Sequence, residues 1–171
     1  PLTAIPAKLN EWRWTSPEPT LNGMAYMDTA LWEADGSPIR LTDDNAAIDW
    51  LRKHADPMSV LIEAQRPLYQ WGGRISWHTG LPTVLGWDWH MRQQRSWPGG
   101  DRTVHQRKQD IQHFYRHADP SLLDRYGVTY VIIGDLERHT YGTESLVKIS
   151  RLPNLTPVFA SGGTSIYEVN K

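Results

Sequence analysis

Apolar positions recur with two different periods along this chain, and the changes of period divide it into elements. In "LTDDNAAIDWLRKHADP", Leu41 to Pro57, the residues Ala47, Ile48 and Leu51 lie at helical spacing. Asp43 or Asp44 stands as the N-cap and Asp-Pro ends the run, so an amphipathic helix is expected. "SVLIEA", Ser59 to Ala64, is a short apolar run of the kind that makes a buried strand. "GRISWHTG", Gly73 to Gly80, alternates less clearly and leads into a Gly-Leu-Pro turn, after which "TVLG", Thr83 to Gly86, reads as a second brief strand. Arg102 to His117 gathers Val104, Ile111, Phe114 and Tyr115 on one helical stripe. Asp119 to Gly127 reads as a short helix with Asp-Pro at its start and glycine at its end. "VTYVIIG", Val128 to Gly134, is the strongest strand signal and is apolar enough to be central.

Beyond it, Leu136 to Gly142 and Glu144 to Leu152 have helical spacing, and Thr156 to Asn170 reads as two strands around a Gly-Gly turn. Strands alternating with helices predict an α/β fold: a mainly parallel central sheet flanked by helices, with an antiparallel C-terminal edge hairpin. Residues 1–22 are rich in Pro, Thr and Trp without a sustained period, and are expected to form an extended arm or linker. Residues 23–171 are expected to form a single α/β domain.

Composition narrows the function classes. No run approaches the roughly 18 apolar residues of a membrane span, and the 39% apolar content suits a globular core. A formal net charge of -1 lacks the global positive field of a nonspecific nucleic-acid binder, so no nucleic-acid partner is expected. Charge is unevenly placed all the same. Acids dominate from Glu18 to Asp44, whereas His90 to His117 carries Arg92, Arg95, Arg102, Arg107, Lys108 and Arg116 against Asp101 and Asp110. The absence of cysteine excludes disulfides, thiol catalysis and cysteine-metal sites. All nine tryptophans lie between Trp12 and Trp97. An indole can stack on a sugar ring, sit at a membrane interface or simply fill a core.

In open α/β sheets ligands gather at the carboxyl ends of strands. Three such ends carry chemistry: Glu63, the stretch Trp87 to His90, and the group Asp135, Glu137 and Arg138. Glu63, Trp87, His90, Glu137 and Arg138 are therefore expected around one cleft. Glu63 has a second reading, an ion pair with an arginine such as Arg74 or Arg95, because a carboxylate ending an apolar strand needs a partner. Paired carboxylates can run acid-base chemistry, but the spacing this needs is spatial and is not encoded in sequence order. His78, Asp88, His90 and His105 could in type ligate a metal, yet no metal-ligand spacing joins them, and no metal is assigned. Dinucleotide, P-loop and nucleophile-elbow motifs are missing.

The segments "TLNGMAYM", "AAIDWLR", "LIEAQ", "ISWHTGLPTVLGWDWHMRQQR", "RKQDIQHFY", "LLDRYGVTYVIIGDLERHTY" and "SIYEV" span Thr20 to Val169. In this order they resemble the C-terminal soluble region of the uncharacterised polytopic proteins called the Chlor-Arch YYY membrane family. The positions that carry the resemblance are Gly80, Pro82, Gly86, Trp87, His90, Gln93, Arg95, Arg107, Asp110, Tyr115, Tyr126, Tyr130, Gly134, Glu137, Arg138 and Tyr141. One departure is Met91, where the family pattern has Glu after the histidine; this weakens proton-transfer and metal readings of that pair. "GWDWH" is also distantly similar to the WWDYG motif of oligosaccharyltransferases.

The resemblance implies a domain of a longer multi-span protein at the cell membrane, on its extracytoplasmic face, similar to glycosyltransferases of the GT-C architecture. It implies that catalytic groups, and any divalent metal of the full-length protein, lie in the membrane part, so that this domain is inactive alone and holds no cofactor. The implied partners are the membrane-spanning part of the same polypeptide and a lipid-linked sugar. The implied substrate-binding residues are Glu63, Trp87, Asp88, His90, Arg95, Arg107, Asp110, Glu137, Arg138 and Tyr141, with Arg102 also placed near a lipid-linked phosphate. The alternative is a non-catalytic interaction or structural module of a membrane protein.

Overall fold

The computed structural model describes residues 19–67, 70–94 and 98–170. Most of the expected arm, together with Arg95 and Trp97, lies outside the described residues. The first regular elements are a short 3-10 turn, Ala25–Asp28, and an antiparallel pair, β1 (Leu31–Ala34) and β2 (Ser37–Arg40). Asp35 and Gly36 make the connecting turn with φ of 48° and 82°, which suits a tight Asp-Gly hairpin. This hairpin is not among the expected elements.

Helix α1 (Leu41–His54) buries Leu41, Asp44, Ala47, Ile48 and Leu51. It starts ahead of the expected cap: extended Arg40 precedes it, and neither Asp43 nor Asp44 caps it. Both carboxylates are engaged elsewhere, Asp43 by the amide of Gly163 and Asp44 in the interior. Strand β3 (Val60–Ile62) follows the Asp-Pro stop.

Residues 74–79 then form a helix, α2 (Arg74–Thr79), between Gly73 and Gly80 at φ of 75° and 79°. Those two left-handed glycines bound the helix abruptly at both ends. The expected strand Thr83–Gly86 is reduced to a single parallel bridge between Thr83 and Leu61. Beyond that bridge the Leu85 carbonyl accepts from the Gln65 side chain rather than from a strand.

The remaining elements are α3 (Asp88–Gln94), α4 (Gly100–His117), α5 (Ser121–Tyr126), β4 (Val128–Ile133), α6 (Asp135–Tyr141), α7 (Thr143–Ile149), β5 (Leu155–Ser161) and β6 (Thr164–Val169). The larger sheet has the order β3-β4-β6-β5. It is mixed: β3 runs parallel to β4, while β6 is antiparallel to both β4 and β5. The chain is thus α/β with a C-terminal antiparallel hairpin. β4 separates two cores by its period of two: Tyr130 and Ile132 face α1, Trp71 and Ile75, whereas Val131 and Ile133 face Ile111, Phe114 and Leu123. The Tyr115 hydroxyl lies 3.0 Å from the Ile62 carbonyl and 2.8 Å from that of Ile132, clamping the carboxyl ends of β3 and β4 together.

The β5–β6 turn docks against α1 through Gly163, whose amide donates to Asp43 at 2.7 Å. At Gly162, with φ of 52°, a methyl group would collide with the Asp43 carboxylate. Gly162→Ala is expected to lower stability to urea by about 1–3 kcal/mol. In an Asp43→Ala background the same substitution should cost only the left-handed backbone strain, about 1 kcal/mol. An equal cost in both backgrounds would refute the steric account.

Candidate functional site

The carboxyl ends of β3 and β4 bring together a buried ionic cluster. Arg74, the first residue of α2, is 0% exposed. Its Nε donates to Asp44 Oδ2 at 2.6 Å and its Nη2 to Asp44 Oδ1 at 3.2 Å. Its Nη1 and Nη2 donate to the two oxygens of Glu137, each at 2.9 Å. Glu63 stands further off, 3.7 Å from Nη1. Asp44 also accepts from the indole of Trp71 at 2.9 Å and from the Thr164 hydroxyl at 3.2 Å. Glu137 accepts from the amides of Ala64 and Gly134, both at 2.8 Å. Glu63 accepts from the amides of Ile75 and Ser76, both at 2.9 Å, and so closes the start of α2.

Three carboxylates therefore surround one guanidinium away from water. Burial pushes the Glu63 carboxyl up to about 7, against the opposing pull of Arg74 and the two amides. Burial also acts on Glu137, but there the charge and hydrogen bonds of Arg74 and the two amides outweigh it and hold the group below its usual range.

Glu63 and Glu137 are thus corrected as ligand-facing residues: both side chains are 0% exposed, and the ion-pair reading of Glu63 with Arg74 describes its place. A carboxylate at the end of a buried strand was bound to recruit such a partner, since leaving it unpaired costs several kcal/mol.

The surface above this cluster is aromatic. Helix α2 contributes Ser76 and Trp77; the chain then returns through Leu81 and Val84 to Gly86 and enters α3, which contributes His90 and Met91. Gly73, Ser76, Trp77, Gly86, Trp87, His90 and Met91 line a hollow of about 200 Å³ with an almost wholly apolar wall. Trp77, 51% exposed, lies 6.0 Å from Trp87 between ring centroids at 49°, and Trp87 lies 5.3 Å from His90. The Trp87 indole is held by its N–H, which donates to the Gly72 carbonyl at 2.8 Å.

Behind Trp77 the rings continue inward. His78 stacks on it at 4.0 Å and Trp71 meets it edge-on at 5.8 Å. Because Trp71 donates to Asp44, the aromatic array connects the hollow to the ionic cluster. Burial holds the His78 imidazole below its usual value, favouring the neutral ring, although the Arg74 carbonyl pulls the other way.

The other expected site residues are dispersed. Asp88, in the first turn of α3, pairs with Lys108 at 2.9 Å and does not line the hollow. Arg107 donates to the Val84 carbonyl at 2.9 Å and lies 5.4 Å over the Tyr126 ring. With Arg102, Thr103, Gln106 and Tyr126 it lines a second, more open hollow of about 350 Å³. Asp110 accepts from Gln106, Tyr126 and Arg125. Arg138 pairs with Asp135 at 3.0 Å. Tyr141 accepts from the Gln65 amide and stacks on Tyr115 at 4.7 Å and 6°.

The single cleft of Glu63, Trp87, His90, Glu137 and Arg138 is therefore corrected. Trp87 and His90 meet in the hollow, Glu63 and Glu137 are sealed beneath it, and Arg138 is absent from its lining. Sequence reasoning missed Trp77, Ser76 and Met91 as lining residues. The available signal was a tryptophan between two glycine helix stops. Among the described residues, no group of three or more His, Asp or Glu side chains is arranged to hold a metal ion, and His78, Asp88, His90 and His105 form no such group. No helix among the described residues is long and apolar enough to cross a membrane.

No family model matches the sequence, and no curated protein matches it. Among solved structures, the chain is similar to the C-terminal globular domain of the oligosaccharyltransferase of Archaeoglobus fulgidus. The TM-score is 0.45 at 14% identity, covering 75% of this chain and 97% of that one.

Arg74→Met is expected to lower stability by about 3–5 kcal/mol, because it leaves buried carboxylates uncompensated. Arg138→Met, which loses a half-exposed pair, should cost less than about 1 kcal/mol. Urea unfolding of both variants checks the contrast. The raised Glu63 carboxyl also fixes the sign of a pH effect: its contribution is complete below the unfolded value of 4.5 and is lost as pH rises through about 7. Glu137, held low, contributes stability that is present above 4.5 and is lost in acid. Stability should therefore decline from about pH 5 to about pH 8, and Glu63→Gln should flatten that decline.

Proposed function

We propose that this chain is the substrate-positioning domain of a multi-span membrane glycosyltransferase of the GT-C kind, lying on the extracytoplasmic face and receiving a sugar or lipid-linked sugar in the Trp77–Trp87–His90 hollow. The observation that carries this reading is the half-exposed face of Trp77 set beside Trp87 at the edge of the hollow. The C–H face of a sugar ring is apolar and flat enough to stack on an indole, and two indoles held at an angle grip such a ring from two sides. The Ser76 hydroxyl, which donates to the Leu81 carbonyl, keeps lone pairs that can accept from a sugar hydroxyl at the wall. The membrane context rests on the ordered motifs from Thr20 to Val169 that resemble the YYY family.

A domain of this kind contributes by orienting its ligand for groups in the membrane part of the same polypeptide, and is inactive alone. The more open hollow of Arg102 and Arg107 is suited by charge to the phosphate of such a ligand. A second reading, a non-catalytic contact module, is favoured by the nearly complete apolarity of the hollow and by Trp89, 54% exposed on the same short helix.

Titration with simple glycans and polyprenyl-phosphate sugars, followed by tryptophan fluorescence, separates the two. The sugar reading expects a saturable change that Trp77→Ala weakens about tenfold, or about 1.4 kcal/mol, with folding intact by circular dichroism. Trp89→Ala should leave it unchanged. No response at millimolar glycan from the folded protein would rule the sugar reading out and leave the contact module.

A further inference from the structure

We propose that Glu63 is the positioning residue of the aromatic hollow, and that its protonation loosens the wall formed by α2. Helix α2 spans only Arg74–Thr79, and its N-cap, Gly73, has no side chain with which to cap it. Glu63 performs that task from the end of β3, one oxygen accepting from Ile75 and the other from Ser76. Ser76 and the next residue, Trp77, line the hollow, and the carbonyl of Gly72 holds Trp87. The hollow's shape therefore passes through one carboxylate that is itself sealed from solvent.

The same carboxylate is the least compensated charge of its cluster. The groups around it are Arg74 on α2, Asp44 on α1, Glu137 on α6 and Tyr115 on α4. The hydrogen bonds of Arg74 run to Asp44 and Glu137, leaving Glu63 at 3.7 Å with three carboxylates to one cation. When a proton is taken up, Glu63 is the group placed to receive it, and burial sets that event near neutral pH. A neutral carboxyl has a hydroxyl in place of one acceptor oxygen, so it releases one of the two amides and frays the first turn of a helix six residues long. Protonation thus relieves the burial of charge, which favours the fold as a whole, while it releases one amide of the first turn. Ionised, Glu63 holds Trp77 in place; protonated, it lets that one wall move.

The test uses the whole chain, with near-ultraviolet circular dichroism and acrylamide quenching of tryptophan from about pH 5.5 to about pH 8.5. A one-proton transition near pH 7 is expected. It should vanish in Glu63→Gln and persist in His78→Gln and His90→Gln, which remove the imidazoles lying against the same indoles. Carbon NMR of the Glu63 carboxyl in the unmutated protein should titrate at the same midpoint, which keeps the test decisive if Glu63→Gln does not fold. A transition that survives Glu63→Gln, one that vanishes with either histidine, or a carboxyl that does not titrate in this range would each overturn the proposal.

The ligand-level consequence rests on the sugar reading above. Glycans should bind about three- to tenfold more weakly at pH 5.5 than at pH 8, and equally at both in Glu63→Gln. A pH transition without glycan binding at either pH supports the role of Glu63 and counts against the sugar reading alone. Glycan binding that does not change with pH in the unmutated protein overturns the proposal and leaves the sugar reading standing.

Discussion

One guanidinium, sealed at 0% exposure, governs much of the geometry of this domain. Arg74 draws Asp44 of α1, Glu63 at the end of β3 and Glu137 of α6 onto a single point, so four separate elements share one electrostatic constraint. A buried ion cluster is a poor source of net stability compared with apolar packing of the same volume, because desolvation offsets most of the attraction. Its value is directional: the fork of Arg74 admits few arrangements of its partners, of which Glu63 and Glu137 in turn accept from backbone amides and Asp44 from Trp71 and Thr164. Glu137 thereby sets the start of α6 and Glu63 the start of α2. The apolar layers on either side of β4 provide the bulk of the burial, and the cluster fixes how α2 sits on them.

The surface hollow inherits its geometry from that cluster. Trp71 donates to Asp44 and meets Trp77, and Trp77 meets Trp87, so the rings form a continuous path from buried charge to open surface. With Glu63 ionised, side chains positioned this way are costly to reorient. The apolar wall with its angled indoles, and the separate hollow at Arg102 and Arg107, are the two features on which the proposed ligand reading rests.

Much of the fold is legible in the sequence because burial leaves a period. The stripe Ala47, Ile48 and Leu51, the run Val128 to Ile133 and the Gly-Gly hairpin all declare themselves by spacing. The β1–β2 hairpin, turned at Asp35 and Gly36, is local, but other misses depend on partners distant in sequence. Asp43 and Asp44 have the composition of an N-cap, yet tertiary bonds to Gly163 and Arg74 claim both. Thr83 to Gly86 has the composition of a strand, yet its backbone makes one bridge before Leu85 turns to Gln65. Residues 74–79 carry no helical stripe because Arg74 and Ile75 point inward beside Trp77, which points out. At the site, the expected strand ends drew attention to Glu63, Trp87 and His90, but sequence does not distinguish a carboxylate facing a ligand from one facing Arg74.

With Glu63 and Arg74 holding it, the short, glycine-bounded helix α2 should be as rigid as the centre of the sheet. Native-state hydrogen exchange at about pH 8 measures this at the two amides involved. If the cluster holds α2, the Ile75 and Ser76 amides exchange only on global unfolding, at the same free energy as Val131 and Ile132 in β4. Exchange of those two amides by local fraying, several kcal/mol below the β4 amides, would contradict it.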